Sequence, residues 1–215
     1  MEEIKILYRD TEIAVIEKPV GVLSQRDAKG EDGLVEILAK QTGKTVYPVH
    51  RLDRPVGGVM VYALTKNAAA ALSGEKAFEK VYLAAVSGKP EPAGEMIDYL
   101  FKDSAKGKSF VVKSERKGSK YARLSYETLK TVNTEKGDIS LVRVKLDTGR
   151  THQIRVQFSS RGMPLLGDGK YGSRIKGQGI ALWSHGLTLT HPKTGQILIF
   201  TSNPADNQFF EIFFN

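Results

Sequence analysis

Residues 50–58 read His-Arg-Leu-Asp-Arg-Pro-Val-Gly-Gly and lead into an apolar run over residues 59–64. Pro55 biases Arg54 towards an extended backbone, and the glycine pair permits a sharp turn or a close approach by another group. The run that follows is apolar at nearly every position, as is typical of a strand buried on both faces. We therefore predict a loop that carries Asp53 into an interior strand, where a rigid scaffold can hold a reactive carboxylate. Alone, the cluster would also fit a solvated turn with an incidental ion pair.

The composition is that of a globular protein with a polyanionic partner. The chain has 215 residues, 40% of them apolar, with 32 Lys and Arg against 24 Asp and Glu and a formal net charge of +8. That length can bury a substantial core. A basic excess favours binding to nucleic acid, because neutralising phosphates releases condensed counterions.

Several classes of protein are disfavoured by what the sequence lacks. It has no cysteine, and its four histidines form no His-x-x-x-His pair beside a carboxylate, so we predict neither a disulfide framework nor a metal site. The acidic start and the absence of a long apolar run argue against secretion and membrane insertion. We expect a cytoplasmic protein.

The pattern of short apolar segments predicts more strands than helices. Strands are predicted over residues 4–8, 13–17, 59–64, 80–86, 109–112, 121–132, 139–146, 182–190 and 196–201. Helices are predicted over residues 34–42, 65–72 and 151–160. Because strands and helices do not alternate regularly, the expected class is mixed α+β, with a largely antiparallel central sheet and flanking helices. We expect one domain, residues 1–215, that is monomeric.

Two further segments have a composition suited to particular roles. Residues 102–120 are rich in lysine, serine and glycine, and we interpret them as basic loops around the short strand 109–112. The last residues contain Phe209, Phe210, Phe213 and Phe214, which we expect to pack in the core.

A second polar cluster opens the helix predicted at residues 151–160. It reads Thr148-Gly149-Arg150-Thr151-His152-Gln153-Ile154-Arg155. Ile154 and Phe158 are four residues apart and would face the core, which places Arg155 at the margin of the buried face. An arginine there can reach into a cleft while its stem stays packed, or it can simply extend to the surface.

The third feature is Lys80-Val81-Tyr82 at the head of a strand. Tyrosine can stack on a nucleic-acid base or fill a core. These segments belong to an ordered series. Its other members are Asp10 through Lys18-Pro19-x-Gly21, Gly162-Met163-Pro164-x-x-Gly167-Asp168-x-x-Tyr171-Gly172 and His191-Pro192-x-Thr194-Gly195. This series resembles the RluA-type pseudouridine synthases over nearly the whole chain.

The resemblance implies the pseudouridine synthase catalytic fold and an activity. Such enzymes detach uracil from its ribose in ribosomal or transfer RNA and rejoin it through carbon, without a cofactor. Asp53 would be the catalytic carboxylate and Arg155 its cationic partner, which favours the ionised form. Tyr82 would stack on the target base and Arg51 would enter the space that the flipped base leaves.

The remaining implications concern RNA contacts and domain content. We expect His50, Arg150 and His152, which belong to the same motifs, to contact the RNA. The chain begins at the first predicted strand, so we expect the catalytic domain alone, without the small amino-terminal RNA-binding domain of some relatives.

The chain departs from the family pattern at two places. Val56-Gly57-Gly58 stands where the family commonly has Thr-Ser-Gly, so two hydroxyl groups are missing, and Trp183 stands where a histidine is expected. The hydroxyls could shape only the turn, or they could hydrogen-bond the loop that carries Asp53.

Two other functions remain compatible with the residues. The departure at 56 and 57 would suit a non-catalytic RNA-binding relative of the same fold. A hydrolase that acts on nucleic acid through Asp53 and His50 or His152 is the second alternative, although it would normally need a metal or a second carboxylate.

Overall fold

A computed structural model of the chain describes residues 3–74, 77–177, 179–204 and 207–214. The chain divides into two compact units, the first formed by Met1–Lys80 with Trp183–Pro204 and the second by Val81–Leu182 with Ala205–Asn215. In chain order the elements are β1 (Ile6–Arg9), β2 (Ile13–Lys18), α1 (Leu34–Thr42), β3 (Tyr47–Pro48), β4 (Gly57–Ala63), α2 (Lys66–Ala71), β5 (Phe78–Ser87), β6 (Ala93–Asp103), β7 (Lys108–Val112), β8 (Ser119–Thr134), β9 (Gly137–Leu146), α3 (Gln153–Ser160), a 3-10 turn (Gly169–Tyr171), β10 (Leu182–Thr190), β11 (Ile197–Thr201) and α4 (Gln208–Phe214).

The first unit is organised around β4, which is buried along its whole length. Strand β2 pairs with it antiparallel, with Lys18 opposite Gly58, and β1 pairs antiparallel with β2. On the other side β10 runs parallel to β4, and β11 pairs antiparallel with β10. Apolar side chains from β2, β4 and β10, together with Ala68 and Leu72, form the core on one side of these strands. The predicted interior strand is therefore confirmed.

The second unit contains a run of long strands in the order β5, β9, β8, β6, β7. The pairs β9–β8, β8–β6 and β6–β7 are antiparallel. Helix α3 packs against this sheet through Val156, which shares a small core with Leu100, Ala122 and Tyr171. The mixed α+β class with a largely antiparallel sheet is thus confirmed, whereas the expectations of one domain and of a monomer stay predictions.

The structure corrects the sequence-based prediction at several elements, and it adds β3 and α4, which were not predicted. Strand β6 was not predicted, and Lys102, Asp103 and Lys120 belong to strands β6 and β8 instead of basic loops. Only Met96 and Leu100 of β6 are buried, so the alternation of apolar and polar residues in this strand is weak. The segment forms a strand because it pairs with β7 on one side and β8 on the other. Helix α3 begins at Gln153, two residues later than predicted.

The aromatic tail forms helix α4. Phe209, Phe210 and Phe213 are buried as predicted, while Phe214 is 58% exposed. Within the described residues, no helix is long and apolar enough to cross a membrane.

The two departures from the family pattern compensate each other sterically. Gly57 opens β4 and lies beside Trp183 of β10. A Cβ atom on residue 57 would come within 2.3 Å of the indole ring, so the ring occupies the space that a serine side chain would need. Trp183 is 6% exposed and donates its Nε1–H to the carbonyl of Ser202 at 3.1 Å, which holds the ring in place. The indole at 183 therefore requires glycine at 57.

This steric coupling predicts a non-additive pair of substitutions. Gly57→Ser should lower the free energy of unfolding by about 2 kcal/mol through overpacking against the indole. Trp183→His, which removes the obstruction, should reverse part of the loss, so that the double variant is more stable than the sum of the single effects by at least about 1 kcal/mol. Denaturant unfolding of the four proteins measures this coupling.

Gly74→Ser is the matched control, since among the described residues, apart from its chain neighbours, no atom lies within 4 Å of a Cβ at residue 74. Its stability should stay within about 0.5 kcal/mol of the parent. Additive effects of Gly57→Ser and Trp183→His would contradict the proposed compensation.

Candidate active site

The loop that carries Asp53 is held by the buried ammonium group of Lys18, the last residue of β2. Its Nζ donates to the carbonyl oxygens of Val56 at 2.7 Å, Pro19 at 3.0 Å and Arg54 at 3.2 Å. The Val56 N–H in turn donates to the Asp53 carbonyl at 3.0 Å, which closes a tight turn directly after the carboxylate. One side chain thus fixes the loop on the carboxyl-terminal side of Asp53.

The amino-terminal side of Asp53 is fixed by a second buried group, the hydroxyl of Ser24. This hydroxyl donates to the Leu52 carbonyl at 2.8 Å and accepts from the Leu52 N–H at 3.1 Å. Both main-chain groups of Leu52 are therefore satisfied inside the protein. Because the backbone is held on both sides of Asp53, hydroxyls at residues 56 and 57 are not needed to fix this turn.

The electrostatics of this loop centre on the same lysine. Lys18 has no exposed surface. Burial lowers the pKa of Lys18 to about 7, and the neighbouring charges of Asp53 and Arg54 respectively raise and lower it. The Asp53 carboxylate therefore favours the charged lysine that holds its loop.

The two arginines that flank Asp53 have different surroundings. Arg54 forms two hydrogen bonds with Glu31, at 2.8 and 3.0 Å, and donates its Nε–H to the Gly21 carbonyl at 2.8 Å. Arg51 is exposed, and its side chain forms no ion pair or hydrogen bond with the described part of the chain. Arg54 therefore stabilises the loop, whereas Arg51 is available for a ligand.

His50 is partly buried in the first unit. Its Nε2 accepts the Val61 N–H at 3.1 Å, and its ring lies 5.2 Å from that of Phe78, centroid to centroid. Burial, together with the charge of Lys80, lowers the pKa of His50 to about 3, so the imidazole is neutral and carries its proton on Nδ1. That Nδ1 is buried and has no hydrogen-bond partner within the described residues. A contact of His50 with RNA stays a prediction.

In the second unit, a strained residue starts helix α3. His152 has φ 56°, and it is the only residue other than glycine with positive φ in the described part of the chain. Gln153 next to it is buried, and its side-chain amide accepts from the Thr148 hydroxyl and the Arg150 N–H while donating to the Arg123 carbonyl. Arg150 also donates its Nε–H to the Tyr121 carbonyl at 2.8 Å. These bonds fix the segment that contains Arg150 and His152.

Arg155 is buried on α3 and forms a bidentate ion pair with Asp168. The Nε–Oδ2 and Nη2–Oδ1 distances are 2.7 and 2.8 Å, and the two side chains are 6% and 1% exposed. Of the two expectations for Arg155, extension to the surface is wrong. Tyr82, on β5, is 6% exposed. The predicted site residues thus fall into two groups, His50, Arg51 and Asp53 in the first unit and Tyr82, Arg150, His152 and Arg155 in the second.

Several residues that shape these two groups received no role from the sequence. Lys18, Asp168 and Tyr171 lie in the motifs that carry the family resemblance. The sequence therefore marked these positions but did not indicate what their side chains do. Ser24 lies in a polar segment that resembles an ordinary loop, and no local pattern distinguishes it. Within the described residues, no group of three or more His, Cys, Asp or Glu side chains could hold a metal ion.

Comparison with known proteins gives a consistent family. Residues 12–160 match the family model described as RNA pseudouridylate synthase. The tRNA pseudouridine synthase C of Haemophilus ducreyi is 34% identical over 218 residues, which cover 90% of this chain and 88% of that protein. The dual-specificity RNA pseudouridine synthase RluA of Escherichia coli is 33% identical over 220 residues, covering 94% and 93%.

Solved structures show the same fold. Human RNA pseudouridylate synthase domain containing 1 superposes with a TM-score of 0.76 at 23% identity, covering 93% of this chain and 83% of that chain. Human RNA pseudouridylate synthase domain containing 4 gives 0.73 at 24% identity, covering 93% and 88%. The family match favours catalysis over the non-catalytic and hydrolase alternatives. The chain belongs to the RNA pseudouridylate synthase family and is an RNA-modifying isomerase.

Proposed function

We propose that this enzyme converts specific uridines of transfer or ribosomal RNA into pseudouridine, with Asp53 as the catalytic carboxylate and without a cofactor. The observation that carries the proposal is the anchoring of Asp53. Buried groups of Lys18 and Ser24 hold the backbone on both sides of it. A preorganised carboxylate can act on a bound nucleotide without first reordering its loop.

The reaction needs one positioned carboxylate and a base taken out of the RNA helix. The N1–C1′ bond breaks, a C5–C1′ bond forms, the hydrogen on C5 leaves to solvent, and N1 takes up a proton. Nucleophilic or basic action requires ionised Asp53, and we assign Arg155 as the cation that favours this form. Tyr82 offers a ring on which the extruded uracil can stack.

Arg51 is the residue that we assign to the space left by the flipped base. Its exposed side chain has no competing partner within the described residues, and a guanidinium can stack as well as bind phosphate. Arg150 and His152 are assigned to RNA contacts on the second unit, and His50 is retained as a further candidate.

The lysine-rich tract of the second unit is our candidate for RNA selection. The Lys106 and Lys108 ammonium groups lie 5.8 and 5.7 Å from the ring centroid of Phe110, so cations and an aromatic ring share one face.

One relative above is named for transfer RNA and the other for dual specificity, so transfer RNA is the first substrate to test. An RNA substrate of this kind fits the cytoplasmic location that we propose.

Replacement of Asp53 tests the proposed chemistry. Asp53→Asn should reduce turnover by at least about 10⁴-fold, because the amide keeps the shape but removes the nucleophile or base. RNA affinity should remain within about threefold, since the phosphate contacts persist. Tritium release from RNA labelled at C5 of uridine measures turnover, and filter binding measures affinity. Asp138→Asn, near the start of β9, is the control. Wild-type turnover in Asp53→Asn would exclude Asp53 from the chemistry.

Two substitutions of Tyr82 distinguish a role in base stacking from a role in core packing. Tyr82→Phe keeps the ring and should retain turnover within about tenfold, whereas Tyr82→Ala should lower it by at least about a hundredfold through lost stacking. Circular dichroism reports whether both variants fold. If Tyr82→Phe unfolded, or if folded Tyr82→Ala kept full turnover, the ring would have only a packing role.

The anchoring lysine should affect turnover more than affinity. Lys18→Met leaves the loop carbonyls without their donor, and we expect at least about a tenfold loss of kcat with RNA affinity near that of the parent protein. Lys5→Met is the matched control, because the Lys5 side chain is 66% exposed and, in the described part of the chain, its ammonium pairs with Glu17 alone. An unchanged kcat in Lys18→Met would show that the loop needs no such anchor.

The pH dependence of the unfolding free energy, compared between the parent and the same variant, tests the lowered pKa of Lys18. The folded-state pKa of about 7 lies below the ordinary value of 10.5, so between these pH values the unfolded chain holds more protons. The unfolding free energy of the parent should therefore rise from pH 7 towards pH 10 relative to Lys18→Met. Parallel pH profiles of the two proteins would contradict the lowered pKa.

A further inference from the structure

Tyr171 ends the short 3-10 turn of the second unit and contacts two predicted site residues at once. It is 4% exposed. The guanidinium of Arg155 lies 5.0 Å from its ring centroid, and the ammonium of Lys108 lies 4.9 Å from it. Its hydroxyl lies 2.8 Å from Nδ1 of His152. One buried ring therefore meets Arg155 with its π system and His152 with its polar end.

The hydrogen bonds of the Tyr171 hydroxyl bear on which ring nitrogen of His152 carries hydrogen. The hydroxyl accepts the Ser109 N–H at 2.8 Å. Burial raises the pKa of Tyr171, so the phenol keeps its proton. Nδ1 of His152 lies 2.8 Å from this hydroxyl, and where Nδ1 accepts the phenol proton the imidazole has its own hydrogen on Nε2.

Asp168, the residue just before the same turn, restrains Arg155. Asp168 accepts from Nε and Nη2, which fixes the plane of the guanidinium, and the ring of Tyr171 packs on the same group. The Tyr171 N–H donates to the Asp168 carbonyl at 3.0 Å, and the Ser159 hydroxyl of α3 donates to the Tyr171 carbonyl at 2.6 Å. The turn is thus tied to the helix whose side chains it holds.

We propose that Asp168 and Tyr171 are positioning residues, which set the orientation of the Arg155 guanidinium and the tautomer and orientation of the His152 imidazole for the reaction. This inference rests on the proposed roles of Arg155 and His152. In this arrangement the plane of the Arg155 guanidinium is fixed, and the His152 imidazole carries its hydrogen on Nε2. The left-handed backbone of His152 agrees with this role, because such strain persists only where surrounding contacts impose it.

The tautomer of His152 can be read without any activity. The chain has four histidines, so ¹⁵N-labelled imidazoles can be resolved, and a His152→Gln variant assigns the signal. The parent should show His152 protonated at Nε2, and Tyr171→Phe should shift it to a mixture of both tautomers. Tyr8→Phe is the control, since it removes another tyrosine hydroxyl, bonded to Asp10, and should leave the His152 signal unchanged. An identical His152 spectrum in Tyr171→Phe would overturn the assignment of Tyr171.

Kinetics then separate positioning from folding. Tyr171→Phe should raise KM for RNA by about fivefold through one misdirected hydrogen bond, with kcat little changed. A purely structural defect would instead lower kcat by reducing the folded fraction and would leave KM as it was. That second pattern would overturn the proposal.

Asp168→Asn tests the positioning role of Asp168. It should lower kcat by at least about tenfold while KM stays near the parent value. Adding Arg155→Lys to this variant should cause little further loss, because Asp168 acts through Arg155. Fully additive losses would overturn this role. If Asp168→Asn does not fold, Tyr171→Phe decides alone.

The outcomes distinguish this inference from the proposed function. A parent enzyme without tritium release would refute the proposed function, while the His152 spectra would still decide whether Tyr171 sets the tautomer. An active parent enzyme with unchanged spectra and unchanged KM in Tyr171→Phe would refute only the positioning role.

Discussion

A single buried ammonium group organises the loop on which the proposed chemistry depends. Lys18 gives up hydration to lie at the end of β2, and that cost is offset by three carbonyl acceptors and by the nearby carboxylate of Asp53. An ammonium can serve several main-chain oxygens from one point, which a hydroxyl at residue 56 or 57 could not do. The loop therefore depends on a strand neighbour, and its own side chains can vary.

In the second unit a side chain is held in place by an ion pair instead of by carbonyl acceptors. A planar guanidinium must be oriented as well as placed, and the bidentate carboxylate of Asp168 fixes that orientation. Removing either partner of such a buried pair typically costs about 3 to 5 kcal/mol, so the pair is a rigid component of the fold. Tyr171 then connects this pair with the side chain of His152, since its ring contacts Arg155 and its hydroxyl lies 2.8 Å from Nδ1 of His152.

The sequence predicted the class of fold and the positions of most strands because apolar patterning is a local signal. It predicted β4 from a continuous apolar run and the burial of the tail phenylalanines from their residue type. It missed β6, whose polar residues gain strand structure from neighbours on both sides, and it could not separate the role of Arg155 from that of a surface arginine. The partners Ser24, Lys18 and Asp168 are distant in sequence from the groups they hold, with separations of 28 residues for Ser24 and Leu52 and 38 for Lys18 and Val56. Such pairings depend on tertiary packing, which no local pattern contains.

The pairing of Gly57 with Trp183 also limits the order in which sequences of this kind can change. An indole at 183 cannot be accommodated while a side chain occupies 57, because the two would overlap. Glycine at 57 beside a smaller residue at 183 leaves only unfilled space, which a fold of this size tolerates more readily than overlap. The permissible mutational path is therefore directional, with the loss of the side chain at 57 preceding the gain of the indole, and the reverse change must begin at 183.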